Sequence, residues 1–187
     1  MNTVRNNLMY DDEDVHITSG SFGEGLEMRG SDLDIMIISK TIEIHENMST
    51  AVRDVSKTYL STNFRETKPG FTYLSLEYSN AVDALSLCLE NRGKLYLSST
   101  LFKQRHAVQC YSLVHGPCLT DDMGATDFAY CLRSKSWVTQ ADQWITRPNN
   151  SWPTAEVKQN IVDHGVLFVP IDPTVKFMNI RAIRKKE

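Results

Sequence analysis

Residues 19–36 read SGSFGEGLEMRGSDLDIM, and the fold is read outward from them. Gly20, Gly23, Gly25 and Gly30 crowd eleven positions and are followed by an Ile-rich run at 33–38. Glycine frees the backbone where turns demand it, and a short β-branched run bounded by turns reads as a buried strand. The stretch therefore predicts turn, short helix, turn and strand. Gly20-Ser21 ahead of a short helix offers small residues, backbone N–H groups and one hydroxyl, a set suited to the phosphates of a nucleotide. Asp32 and Asp34 stand two apart at the start of the strand, so both carboxylates project from one face. Two ionised carboxylates ~4 Å apart repel by ~4 kcal/mol at an effective dielectric of ~20, so the pair needs a cation beside it. All-oxygen donors suit Mg²⁺, with Mn²⁺ as substitute.

A two-metal site for phosphoryl transfer needs a further acid from another strand, placed to help deprotonate the attacking hydroxyl. Asp127 is the candidate. It leads the otherwise apolar run at 127–132, where a carboxylate calls for a partner. Residues 118–120 and 126–132 read as two strands of a hairpin, joined by Asp121-Asp122-Met123-Gly124.

Further out, the elements alternate in type, which points to an α+β or α/β domain rather than a sandwich or a bundle, with α+β as the expected class. Ile42 to Ile44 extends or pairs with the Ile-rich strand, and residues 46–68 carry no assignable period. Pro69-Gly70 turns the chain into an alternating strand at 71–78. Asn80 reads as a helix N-cap with Val82, Leu85 and Leu89 as the buried stripe and Gly93 beyond the end. A strand at 94–97 follows, then a helix capped by Ser99 and a helix at 138–145. A last helix starts at Pro153, with Val157 and Ile161 inward and Gly165 as its stop. Residues 166–169 read as a final buried strand. The domain is drawn over residues 1–172, with 173–187 as a divergent basic tail.

The 187 residues carry 20 Lys and Arg against 23 Asp and Glu, a formal charge of −3. This balance excludes a chain that coats nucleic acid by charge alone. No run approaches the ~18 apolar residues of a membrane helix, and residues 1–15 lack the apolar core of a secretory signal. Cys88, Cys110, Cys118 and Cys131 form no C-x-x-C pair and read as free thiols, which places the chain in the cytoplasm, with the nucleus as alternative. Lys103, Arg105 and His106 read as a solvated basic helix face, and Trp137, Trp144 and Trp152 as packing anchors. Cys110, His115 and Cys118 lack a fourth ligand at zinc spacing.

Gly20-Ser21, Glu24-Gly25-Leu26 and Asp32-Leu33-Asp34 together resemble the opening motifs of the Mab (male-abnormal twenty-one) family, which includes the cyclic GMP–AMP synthase-like nucleotidyltransferases. The segments at 115–118, 127–132, 151–153 and 165–170 continue the likeness, which spans roughly residues 15–171. The resemblance implies a polymerase-beta-like mixed sheet flanked by helices and a Mg²⁺-dependent transfer of a nucleotidyl group from ATP or GTP to a hydroxyl. In active members the product is a cyclic dinucleotide messenger of innate immunity. It further implies that Gly20 and Ser21 hold the triphosphate, that Asp32, Asp34 and Asp127 bind the metals, and that Glu24 supports the site. Double-stranded RNA or DNA is the activator such a family suggests. The family's long N-terminal helix is short here, and the helical second lobe is missing from the pattern. The second function carried is therefore an inactive or truncated domain that binds a nucleotide or a protein.

Overall fold

The computed structural model describes residues 13–26, 30–65, 67–147 and 153–171, and the backbone of Asn179–Ile183. The glycine-rich stretch folds as its residues dictate: β1 (Asp14–Ser19) runs into α1 (Gly20–Gly23), and the Ile-rich run becomes β2 (Leu33–His45). Ile42 to Ile44 belong to that same strand. Downstream stand β3 (Thr58–Asn63), β4 (Tyr73–Tyr78), β5 (Cys88–Asn91), β6 (Lys94–Leu97) and α2 (Ser99–His106). Then come β7 (Tyr111–His115), β8 (Cys118–Asp121), β9 (Thr126–Ser134), α3 (Asp142–Thr146), α4 (Ala155–His164), β10 (Val166–Ile171) and β11 (Asn179–Ile183).

All eleven described strands join one mixed sheet, in the order β11-β10-β9-β2-β3-β4-β6-β5, with β1 on β2 and the β7–β8 hairpin on β9. The central strand β2 is antiparallel to β1 and parallel to both β9 and β3. Its register against β9 shifts between Ile38 and Glu43, a bulge that divides the pair into two ends.

The fold class is thus not the α+β nucleotidyltransferase sheet flanked by helices. The chain is mostly β, its sheet curls on itself, and the described helices are only four to ten residues long. The helix expected after Asn80 shows why. Val82 is 93% exposed and Leu85 57%, so the assumed apolar stripe faces solvent. The chain makes one 3-10 turn at Leu85–Leu87 and then pairs as β5 with β6. Arg92 and Gly93 both take positive φ, and Asn91 opposes Lys94, so a two-residue hairpin turn replaces the helix end. The unassigned stretch 46–68 holds β3, and a 3-10 turn with the five-residue α3 stands where the helix at 138–145 was expected.

Alternation sends side chains to two cores. Met36, Ile38, Ala129, Cys131, Leu167 and Val169 pack on one face. Ile44, Leu60, Leu74, Phe102, Leu132 and Phe168 pack on the other, the face that α2 covers. Ser98, one residue before the cap expected, accepts the Leu101 N–H and starts α2. That helix is no solvated basic face: Lys103 is 2% exposed and donates to the Gly116 carbonyl at 3.0 Å. His106 stacks on Tyr130 with ring centroids 3.9 Å apart, and Arg105 pairs with Asp83. Trp137 and Trp144 lie 5.4 Å apart as a packed pair, whereas Trp152 falls outside the described residues. The backbone of the tail adds β11 antiparallel to β10. No described helix is long and apolar enough to cross a membrane.

Candidate functional site

The strand register brings the candidate acids together. Asp34 on β2 lies opposite Ser19 on β1 and opposite Asp127 on β9, and Asp127 lies opposite Thr120 on β8. A polar row therefore crosses four strands at one end of the Met36–Ala129 face. Asp32 precedes β2 by one residue, and ligand oxygens of Asp32, Asp34 and Asp127 all lie within 4.8 Å of one another. Asp32 is exposed, Asp34 half-buried and Asp127 buried, so the group is open on one side only.

Burial, and then the charges of Asp32 and Asp127, hold the Asp34 carboxyl above its ordinary value. No lysine or arginine is ion-paired with the three acids among the described residues, so the like charges face one another. Asp127 is anchored: the Thr120 hydroxyl donates to its Oδ1 at 2.6 Å. Its Oδ2 is 3.6 Å from Nδ1 of the exposed His115, beyond direct hydrogen-bond length. The charges, the three oxygens within one small volume and the open side fit a divalent cation with oxygen donors.

Gly20 is fitted to this site. Its φ is +61°, and a Cβ placed there would stand 1.8 Å from Oδ2 of Asp34. Only glycine lets the α1 backbone approach that carboxylate. Gly20 and Glu24 line a cleft of about 510 Å³ together with Asp34 and Asp127, a volume typical of small-molecule sites. Its other walls are apolar, from Ile17, Met36, Ala129, Trp144 and Ile161. Ser21 sits on α1 beside Gly20, half-exposed and outside the cleft wall.

Three features were missed from sequence. Thr120 is legible only once the β8–β9 register is known, and His115 only once β7 is seen to pair with β8. The cleft's apolar wall needs residues from β1, β2, β9, α3 and α4 at once. Cys118 also lines the cleft, and burial first, and then Asp127 and Asp34, push its thiol up to about 12. No protein-family model matches this chain and no curated protein matches it.

Proposed function

We propose that the chain transfers a nucleotidyl group from a nucleoside triphosphate to a hydroxyl, with Mg²⁺ or Mn²⁺ held by Asp32, Asp34 and Asp127. The observation that carries this reading is the convergence of three carboxylates, two of them on adjacent parallel strands and one just ahead of β2, within 4.8 Å, with no lysine or arginine ion-paired to them among the described residues. The reading rests on the site and not on the fold. Bound there, a divalent ion supplies charge neutralisation for a phosphate and a lower barrier to hydroxyl deprotonation.

The chain's own residues supply position. Gly20 brings α1 against Asp34 and, with Glu24, lines the cleft a triphosphate would enter, while Ser21 stands beside Gly20 outside the cleft wall. Thr120 fixes one oxygen of Asp127 and leaves Oδ2 to take the proton of the acceptor hydroxyl. The hydroxyl oxygen bonds to the α-phosphorus as the bond to the pyrophosphate oxygen breaks. The resemblance at residues 20–34 makes ATP and GTP the first substrates to try and a cyclic or linear dinucleotide the expected product, with double-stranded RNA or DNA as an added activator. Four free cysteines suit a reducing compartment, the cytoplasm or nucleus.

The test is labelled ATP and GTP with Mg²⁺ or Mn²⁺, with and without duplex RNA or DNA, resolved by chromatography. A dinucleotide product lost in Asp32→Asn/Asp34→Asn supports the reading. Thermal stabilisation by nucleotide and metal without turnover would instead assign a binding module, and no product with no stabilisation would overturn both.

A further inference from the structure

We propose that the pocket at the opposite end of the β2–β9 pair binds a compact phosphate-bearing anion of the size of a di- or triphosphate. The pocket, about 170 Å³, opens at the bulge of β2. Lys40, Lys57, Arg133 and Lys135 line it, against the single carboxylate of Glu43. Asp127 and Arg133 are six residues apart on β9, so at ~3.3 Å per residue the pocket lies ~20 Å from the acid triad. It is a separate site.

The cationic groups are held by the fold. Glu43 is buried, and its Oε1 accepts from Lys57 and from Lys135, at 2.5 and 2.7 Å. Each ammonium has three N–H donors and spends one on that oxygen, which leaves donors for a ligand. Arg133 lies opposite Glu43 in the sheet and, among the described residues, its guanidinium makes no ion pair. Its planar fork matches phosphate oxygens. Other acids temper the charge without lining the pocket. Asp54 acts electrostatically on Lys57 and Lys135, and Asp14 lies opposite Ser39 on β1. The surplus of positive charge and the small volume select a short, highly charged anion over an extended chain.

The test is calorimetric titration of the full chain with sodium tripolyphosphate in EDTA at low salt, with ATP and a short RNA duplex as parallel arms. The proposal predicts one saturable tripolyphosphate site, weakened about tenfold by Arg133→Gln and several-fold by Lys135→Gln. Glu43→Gln, which keeps the shape and removes the one lining carboxylate, tightens binding. Asp32→Asn/Asp34→Asn leaves it unchanged, which separates this site from the proposed catalytic one. ATP binding with the same Arg133 dependence assigns the pocket to a nucleotide's phosphates, and its absence beside tripolyphosphate binding assigns it to free polyphosphate. No saturable binding, binding indifferent to Arg133→Gln and Glu43→Gln, or binding of the duplex alone would overturn the proposal.

Discussion

The two ends of the β2–β9 pair are built from the same parallel ladder and carry opposite charge logic. At one end the register sets Asp34 beside Asp127, with Asp32 close by and no lysine or arginine ion-paired to them among the described residues. At the other it sets Glu43 beside Arg133, and Lys57 and Lys135 both close on the carboxylate. Burial raises the Glu43 carboxyl, but the two lysines outweigh it and hold the group below its ordinary value. Asp34 is instead pushed up by burial and by its acidic neighbours. Folding satisfies the first carboxylate and strains the second. A carboxylate left facing other acids calls for a cation, whereas stripping the partners from a buried, compensated one costs stability.

The largest expected effect breaks this contrast at the acid end. Asp34→Asn should lower turnover by about a thousandfold, the scale for removing a transition-state electrostatic contact, with the melting temperature unchanged or raised. A melting temperature lowered by many degrees would show that the acids are structural after all. At the other end Lys57→Met/Lys135→Met should cost about 3 kcal/mol in denaturant unfolding, because Glu43 is left buried without its two ammonium partners, with only His45 Nε2 at 3.5 Å from its Oε2. Turnover per folded molecule should be unaffected.

How much of this contrast was legible in the sequence divides the same way. Gly20-Ser21, Asp32 and Asp34 lie within fifteen residues, so local spacing and period-2 alternation locate them. Asp127 was found as a carboxylate opening an apolar run, and the parallel register places it against Asp34. Glu43 was invisible, because its partners come from before β3 and after β9 and nothing local marks them. The fold class failed for a similar reason. The 3.6-residue spacing of Val82, Leu85 and Leu89 matches a helix, but the pairing of β5 with β6 overrides it through non-local hydrogen bonds.

A smaller effect sharpens the acid end. Gly20→Ala adds a Cβ 1.8 Å from the Asp34 carboxylate at a positive φ, so it should cost about 1–2 kcal/mol of stability and displace Asp34. Equilibrium unfolding checks the first, and loss of turnover beyond the stability cost checks the second. Smaller again is an acid response outside both ends. Burial, and then Arg105, lower His106 to about 4, so below pH 6.5 the unfolded chain takes up the proton first. The stability that neutral His106 contributes is whole above pH 6.5 and is lost as pH falls toward 4. Unfolding curves at pH 7 and 5 should differ by about 2 kcal/mol through this ring, and His106→Phe should reduce the difference.

Mn²⁺ titration followed by electron paramagnetic resonance tests the claim about the acid triad most directly, because it reads the ion and needs no substrate. The account predicts saturable Mn²⁺ binding at neutral pH that Mg²⁺ displaces and that Asp34→Asn weakens by at least about tenfold. Absence of saturable binding, or binding that survives Asp34→Asn and Asp127→Asn unchanged, would contradict it.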